Sequence, residues 1–174
     1  MTEIRAVRTS DAALLRDIHL RMYADAPDAF SETLAQARAM TVQDWQQRAG
    51  QYAGGPDAVA FAAIEAETTY GFIAGFVGRW REGAMRWDDR DTVTMAKTWV
   101  DPVRRRRGIG RALTEAVASW AKEKKATTLE AQVTENNGPA IEFYQKLVFT
   151  DIGRREPLLS NPTLQIHFLV RLIS

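Results

Sequence analysis

The chain has 174 residues, of which 45% are hydrophobic and 26% are charged, and its net charge is +1. This balance argues against broad nucleic-acid affinity, and the absence of cysteine excludes a disulfide, a thiolate metal site and a cysteine nucleophile. No run reaches the roughly 20 apolar residues of a membrane span, and the first residues lack the apolar segment of a signal peptide. We therefore expect one cytoplasmic domain over residues 1–174, without nucleic-acid or membrane partners.

The first half of the chain is predicted to form a strand, two helices and a β-hairpin. Apolar residues spaced three and four apart mark a helix that ends near Asp25, and a second helical stretch runs from Ser31 to Arg48, with Gly50 as its stop. The strand candidates are Ile4–Val7, Ala58–Ile64 and Tyr70–Trp80, the last two joined as a hairpin. The segment Arg81–Arg90 is predicted to be a polar loop.

The central stretch of the chain combines a strand, a basic segment and a helix. Its β-branched and aromatic residues predict a strand at Thr92–Val100, and the arginines Arg104–Arg107 follow shortly after it. The glycine-containing segment Gly108–Gly110 then leads into an amphipathic helix. Free backbone amides at a helix start attract an anion, and glycine lets the backbone approach it closely. This stretch therefore predicts a phosphate-binding site.

Two common phosphate-binding motifs do not fit this stretch. The ATP-type loop requires a Gly-Lys pair, which the chain lacks, and the dinucleotide motif requires a third glycine where Leu113 stands. What remains is the pattern Arg105-x-x-Gly108-x-Gly110 between a strand and a helix. This pattern resembles the acetyl-CoA signature of the GNAT superfamily of acyl-CoA-dependent N-acetyltransferases.

The C-terminal third supplies a second motif similar to that superfamily. Strands are predicted at Thr127–Val133, Phe149–Arg154 and Thr163–Leu172, and Asn137 is predicted to cap a helix after the first of them. The residues that match the family's pattern on this helix are Asn137, Ala140, Ile141, Phe143, Tyr144, Lys146, Leu147 and Phe149. Val148 departs from it, since most members have glycine there, which leaves the turn geometry at this position open.

The order of the predicted elements also resembles the GNAT fold along nearly the whole chain. Strands and helices alternate in a way that covers both faces of a sheet. We therefore expect an α/β protein with a GNAT-type mixed, mostly antiparallel central sheet of six to seven strands, flanked by four helices.

The resemblance implies direct transfer of an acetyl group from acetyl-CoA, the acyl donor, to a primary amine in a sequential ternary complex, without a metal. It implies that Tyr144 is the general acid that protonates the leaving CoA sulfur. Without the motif, Tyr144 would be interpreted as a packed aromatic residue and Asn137 as a helix cap only. The positions implied to bind the cofactor are Trp99, Val100, Arg105, Arg106, Arg107, Gly108, Ile109, Gly110, Arg111, Ala112 and Asn137.

The proton acceptor and the amine-binding residues stay open. Thr94 stands where some relatives have a glutamate, which leaves a water relay or another carboxylate, the candidates being Glu65, Asp88, Asp89, Asp91 and Glu130. By resemblance, the loops Tyr23–Ser31 and Arg154–Pro162 flank the amine site. They offer Tyr23, Asp25, Asp28, Phe30 and Glu156. The histidines, His19 and His167, are too scattered to suggest a metal site.

Two alternative functions make different experimental predictions. A non-catalytic acyl-CoA-binding or sensing domain would bind CoA without turnover. A nucleic-acid-binding domain would show steep salt dependence and no CoA affinity, and the near-neutral charge balance disfavours it. The sequence does not distinguish a small-molecule amine from a protein N-terminus or lysine, or a monomer from a homodimer.

Overall fold

The computed structural model describes residues 1–174 as nine β-strands and five α-helices. The strands are β1 (Glu3–Ala6), β2 (Ala58–Glu65), β3 (Thr68–Val77), β4 (Arg79–Arg81), β5 (Ala84–Arg86), β6 (Thr92–Val100), β7 (Thr128–Thr134), β8 (Thr150–Leu158) and β9 (Asn161–Leu172). The helices are α1 (Ala12–Asp25), α2 (Leu34–Ala39), α3 (Val42–Gly54), α4 (Ile109–Glu123) and α5 (Gly138–Lys146). None of them has both the length and the apolar character needed to cross a membrane.

Seven of the strands form one sheet in the order β1-β2-β3-β6-β7-β9-β8, and β4 pairs with β5 as a separate hairpin. Within the large sheet only β6 and β7 run parallel. The predicted mixed, mostly antiparallel α/β sheet is therefore confirmed, with seven strands. The prediction of four helices is wrong, because the stretch from Ser31 to Arg48 breaks at Met40 into α2 and the start of α3.

This break follows from two capping boxes that begin two helices in close succession. Thr33 accepts a hydrogen bond from the Gln36 amide and Thr41 accepts one from the Asp44 amide, and both partners bond back to the cap residue's amide. A second N-cap satisfies the amides of a new first turn, so the chain starts α3 and does not extend α2. Helix α3 then runs past Gly50, the predicted stop, to its end at Gly54.

Apolar clusters bury both faces of the central strands. Along β3, Ile73 and Val77 belong to the cluster formed with α4 and α5, whereas Phe72 and Ala74 belong to the cluster formed with α1 and α3. Successive residues of a strand point to opposite faces, so a strand covered on both sides reads as a nearly continuous apolar run. Helices on both faces therefore fix the position of the central strands.

The sheet opens between β6 and β7. Their pairing ends at Met95 and Ala131, and β6 continues to Val100 while paired with β3 alone. Lys97 and Thr98 together oppose a single residue of β3, and Lys97 has a φ of 57°. This is a β-bulge, which bends the strand and separates it from its neighbour. We call the gap beyond Met95 and Ala131 the opening.

Two segments predicted as loops are hairpins. Within Arg81–Arg90, Glu82 and Gly83 form a turn with φ values of 50° and 75°, which lets β4 and β5 pair. The predicted loop Arg154–Pro162 is mostly strand, because β8 and β9 continue into it and are separated by two residues. Both hairpins lie beside the opening and contribute side chains to the pocket described below.

Val148, which joins α5 to β8, is strained. Its φ is 67° and its side chain is 76% exposed, so it carries left-handed strain without compensating contacts. We expect Val148→Gly to raise the free energy of unfolding by about 1 kcal/mol, because relief of the strain exceeds the entropy that glycine adds to the unfolded chain. Urea denaturation measures the change. The control Val103→Gly, at an exposed site without positive φ, should lower stability. A Val148→Gly protein less stable than the wild type would contradict this account.

Candidate active site

The arginine loop, which we define as Arg104–Gly110, leads from β6 into α4 and presents free backbone amides. Gly108 is the N-cap of α4 with a φ of 81°, and no atom beyond its two chain neighbours lies within 4 Å of the position that a Cβ would take. The amides of residues 106–111 have no hydrogen-bond acceptor in the protein, and the first paired amide is that of Ala112. A helix start with free amides and an open approach binds anions.

The arginines of this region divide into two that face the protein and three that face outward. Arg105 donates hydrogen bonds to Asp25 at 2.6 Å and to the Val100 carbonyl at 2.9 Å. The guanidinium carbon of Arg104 lies 4.6 Å from the centre of the Tyr70 ring. The three exposed guanidinium groups without an ion pair belong to Arg106, Arg107 and Arg111. Arg105 therefore fastens the loop to the protein, and the charge free to meet a ligand comes from these three.

The first turn of α4 is fixed by its packing against α5. Ile109 is buried in the core, and a Cβ at Gly110 would lie 3.1 Å from the Phe143 ring. A larger residue at Gly110 would push the two helices apart, while Ala112, in the same turn, is exposed. The free amides are thus held in place relative to the opening by close helix packing.

The last residues of β6 have one unpaired edge at the opening. Trp99 and Val100 pair with Phe72 and Gly71 of β3, whereas β7 no longer lies opposite them. The Trp99 side chain is buried and donates from Nε1 to Asp25 at 2.8 Å, so it packs on the α1 side of the sheet. An extended chain can add to such an edge as another strand would.

Tyr144 lies beside Thr98 at the opening. Its side chain is 5% exposed and packs edge-on against Phe149. Burial raises the pKa of the Tyr144 hydroxyl to about 12, with Thr98 opposing the shift, so the hydroxyl carries its proton at neutral pH. Asn137 begins the same helix, where its side-chain oxygen accepts a hydrogen bond from the Ala140 amide at 3.2 Å. The structure thus brings Tyr144 to the opening and confirms Asn137 as a helix cap.

A pocket of about 350 Å³ lies against β6 and β7. The strand residues that line it are Thr94, Met95, Ala96, Lys97, Gln132 and Thr134. The aromatic residues that wall it are Phe30, Phe76, Trp80 and Trp87. We call it the aromatic pocket. Trp80 and Trp87 come from the region of the β4–β5 hairpin, which the sequence predicted as the end of a strand and a polar loop. The presence of two tryptophans around a polar segment is the sequence signal that could have indicated a wall of a binding pocket.

Few of the residues predicted at the amine site reach this pocket. Phe30 lines it, and the Tyr23 hydroxyl lies 2.6 Å from Lys97 Nζ. Asp25 accepts hydrogen bonds from Trp99 and Arg105. Asp28 and Glu156 do not line the pocket. The acidic residues of the two predicted loops therefore do not form a cation site here.

None of the five carboxylates considered as bases lines the aromatic pocket. Asp89 and Glu65 form ion pairs with arginines. Glu130 pairs with Thr94 in the strand register, but it is 1% exposed and its Oε2 lies 3.5 Å from the guanidinium of Arg154. Burial raises the pKa of Glu130, with Arg154 opposing the shift. A ligand in the pocket therefore does not touch any of these five groups directly.

Two residues that line the pocket, Glu32 and Lys97, interact with Tyr23 and Arg48, and we call these four side chains the Glu32 cluster. Arg48 binds both Glu32 oxygens at 3.0 Å, and Lys97 Nζ lies 2.6 Å from Glu32 Oε2. Burial lowers the pKa of Lys97 to about 8, against the opposing charge of Glu32. Burial alone would raise the pKa of Glu32. Hydrogen bonds from Arg48 and the charge of Lys97 outweigh burial and lower this pKa to about 2.

We expect Glu32→Gln to lower the free energy of unfolding at pH 7 by roughly 3 kcal/mol, because two largely buried cations lose their carboxylate. The pKa of Glu32 lies below its ordinary value of 4.5, so its ionisation stabilises the fold above pH 4.5 and this contribution is lost as the pH falls toward 2. Urea denaturation from pH 2 to 7 should show a shallower pH dependence in the variant. The control Glu142→Gln removes an exposed ion pair with Lys146 and should have a small effect. An unchanged slope for Glu32→Gln would contradict this assignment.

The histidines do not form a metal site. No cluster of three or more His, Asp or Glu side chains is placed to hold a metal ion. His19 is fully buried, its Nδ1 lies 2.7 Å from the Leu15 carbonyl, and burial lowers its pKa to about 3, so it is a neutral core residue. His167 lies on β9 with its Nδ1 3.3 Å from Asp151.

The geometry of the loop, the opening and α5 can be compared with known proteins. A family model described as the acetyltransferase (GNAT) family matches residues 19–149. The chain belongs to the GNAT family. The matched range contains the arginine loop, the opening and Tyr144, and the resemblance predicted from Arg105-x-x-Gly108-x-Gly110 is thereby confirmed.

Individual acetyltransferases match this chain over different lengths and at different identities. A streptothricin acetyltransferase from Streptomyces lavendulae is 34% identical over 97 residues, covering 56% of this chain and 47% of that protein, so the match spans about half the length of the curated relative. A GNAT acetyltransferase structure from Streptococcus pneumoniae has a TM-score of 0.80 at 18% identity over 100% of both chains. The yncA protein of Salmonella typhimurium, solved with its cofactor acetyl-CoA, has a TM-score of 0.75 at 18% identity over 100% of this chain and 95% of that one.

Proposed function

We propose that this GNAT protein is an N-acetyltransferase that moves an acetyl group from acetyl-CoA to a primary amine in a sequential ternary complex. One juxtaposition carries the proposal: the free amides of α4, the unpaired end of β6 and the Tyr144 hydroxyl meet at one opening, and the aromatic pocket adjoins it. Membership of an acetyltransferase family and the acetyl-CoA complex of the yncA protein support the choice of donor.

The residues of the arginine loop fit the pyrophosphate of CoA. Six consecutive amides lack an acceptor, Gly108 leaves the approach open, and three outward-facing arginines add positive charge. The free backbone edge of Trp99 and Val100 would hold the pantetheine arm. The side-chain nitrogen of Asn137, Nδ2, which the helix cap does not use, would bind it as well. The bound donor supplies a thioester whose acyl carbon the amine attacks.

Tyr144 is suited to the role of general acid. Its raised pKa keeps a proton on the hydroxyl at neutral pH, and its place beside Thr98 puts that hydroxyl at the end of β6, where the pantetheine arm would end. The hydroxyl therefore holds a proton for the sulfur that leaves. The chain has no cysteine to carry an acyl group, which supports direct transfer to the amine.

Deprotonation of the amine is assigned to solvent. The five candidate carboxylates do not line the pocket, and the Glu32 carboxylate, which does, is already bound to Arg48 and Lys97. An alkylammonium with a pKa near 10 keeps a small neutral fraction at neutral pH, and that fraction is the form that reacts. The pocket volume of about 350 Å³ supports a small amine or a single side chain as acceptor, in keeping with the streptothricin acetyltransferase relative.

Thermal unfolding with and without acetyl-CoA, followed by release of free thiol with a panel of amines, tests the proposal. Acetyl-CoA at 100 times its dissociation constant should stabilise the fold by about 2.7 kcal/mol, and thiol release should depend on the amine. Stabilisation without release by any amine would favour the non-catalytic acyl-CoA-binding domain. No stabilisation would refute the assignment of the arginine loop to CoA.

A further inference from the structure

Lys97 occupies a strained position in the aromatic pocket. It lies in the bulge of β6 with a φ of 57°, which is unfavourable for a residue other than glycine, and its side chain is 19% exposed. Strain of this kind persists where the surrounding structure holds it, and it is concentrated at functional sites. The bulge places the only cation among the pocket-lining residues at one end of the pocket.

The hydrogen bonds of the Lys97 ammonium leave one donor unused. A lysine ammonium has three N–H groups. One bonds to Glu32 Oε2 and one to the Tyr23 hydroxyl, both at 2.6 Å, and the Tyr23 hydroxyl itself donates a hydrogen bond to Glu32 Oε2 at 2.5 Å. No other protein atom accepts from Nζ. The third N–H group is therefore available to a ligand in the pocket.

The charges at this end of the pocket do not balance. Glu32 is the only carboxylate of the cluster, and it faces two cations, Arg48 and Lys97. His19 and Tyr23 beside them are neutral, because burial lowers the pKa of His19 to about 3 and raises that of Tyr23, and the further carboxylate near Arg48, Asp44, does not line the aromatic pocket. Glu32 is thus shared between Arg48 and Lys97, and no carboxylate other than Glu32 lines the aromatic pocket to meet the charge of Lys97.

We propose that the acceptor amine carries a carboxylate and an apolar body, and that Lys97 binds the carboxylate. The aromatic walls take the apolar body, and the free N–H group and the excess charge at Lys97 take the anion. Lys97 and Thr98 form the bulge of β6 at the start of the opening, so a carboxylate on Lys97 lies at the pocket end of β6. Apolar amino acids combine an amine, a carboxylate and an apolar body in a molecule small enough for this pocket. This inference rests on the proposed function.

Acceptors that differ in a single charge test the proposal. Phenylalanine and phenylalaninamide share the apolar body and the amine, and only the first carries a carboxylate. In Lys97→Met, the ratio of kcat/KM for phenylalanine to that for phenylalaninamide should fall roughly 10- to 100-fold, since one charge-assisted hydrogen bond is lost. The two amines differ in basicity, but this difference affects the wild type and Lys97→Met in the same way. The change in the ratio between the two enzymes therefore reports on Lys97. The control Lys122→Met, on an exposed position of α4, should leave the ratio unchanged.

A binding measurement separates this proposal from the proposed function. The fluorescence of Trp80 and Trp87 should report binding of 3-phenylpropanoate, which has no amine, and wild-type protein should bind it at least 10-fold more tightly than 3-phenylpropan-1-ol. This comparison needs neither turnover nor a folded variant. Equal binding of the two compounds, or an equal loss of both acceptors in Lys97→Met, would overturn the role of Lys97 even if acetyl-CoA binds and other amines are acetylated. If the carboxylate binds but acetyl-CoA does not, the proposed function fails and the anion site stands.

Discussion

Tyr144→Phe is expected to lower kcat by at least about 100-fold while leaving the dissociation constant of acetyl-CoA nearly unchanged. The variant removes one hydroxyl at the opening and keeps the ring that packs against Phe149, so the core is preserved. A general acid contributes roughly 100- to 10,000-fold to a rate, and a phenyl ring cannot donate a proton. Steady-state rates at saturating acetyl-CoA and amine give kcat, and titration calorimetry gives the affinity for acetyl-CoA.

The chain offers a matched control in Tyr52. This tyrosine is also 5% exposed, and burial raises its pKa to about 12, as for Tyr144. It belongs to the cluster under α1 and α3, away from the opening. Tyr52→Phe should therefore keep kcat within about twofold of the wild type. If Tyr144→Phe behaves like this control, Tyr144 is a core residue and the acid lies elsewhere.

The parts of the site that the sequence predicted are built from neighbouring residues. The bounds of β6, the glycine at the start of α4 and the Asn137 cap depend on signals within a few positions along the chain. Local sterics and hydrogen bonds decide them, so pattern and residue type are sufficient.

The parts that the sequence did not predict depend on contacts between distant segments. The acetyl-CoA signature predicts that Arg105 binds the cofactor, but in the structure Arg105 bonds to Asp25, which lies 80 residues away in the chain. Lys97 forms an ion pair with Glu32, which lies 65 residues away in the chain, and no pattern near either residue predicts this pair. The β4–β5 hairpin turns through Glu82 in a left-handed conformation that residue type alone does not favour. Tertiary packing sets the two ion pairs, and the Lys97–Glu32 pair and the β4–β5 hairpin shape the aromatic pocket and its charge.

Gly108→Val is expected to weaken acetyl-CoA binding roughly 100-fold. The Cβ of the new residue would stand in the open space before the free amides of α4, so a phosphate could no longer approach them closely. Each hydrogen bond to a charged group contributes about 1.5–3 kcal/mol, so the loss of one or two of them accounts for this factor. Titration calorimetry with acetyl-CoA measures the change.

A second glycine separates the loss of the ligand site from backbone strain. Gly153 on β8 has a φ of 77° and open space around its Cβ position, as Gly108 has with a φ of 81°. Valine at either position carries the same left-handed strain, so both variants should lose similar stability. Only Gly108→Val should lose affinity for acetyl-CoA, because only this glycine adjoins the start of α4. Equal affinities in the two variants would show that the α4 amides do not hold the pyrophosphate, and the exposed arginines Arg106, Arg107 and Arg111 would then be the remaining candidates for that contact.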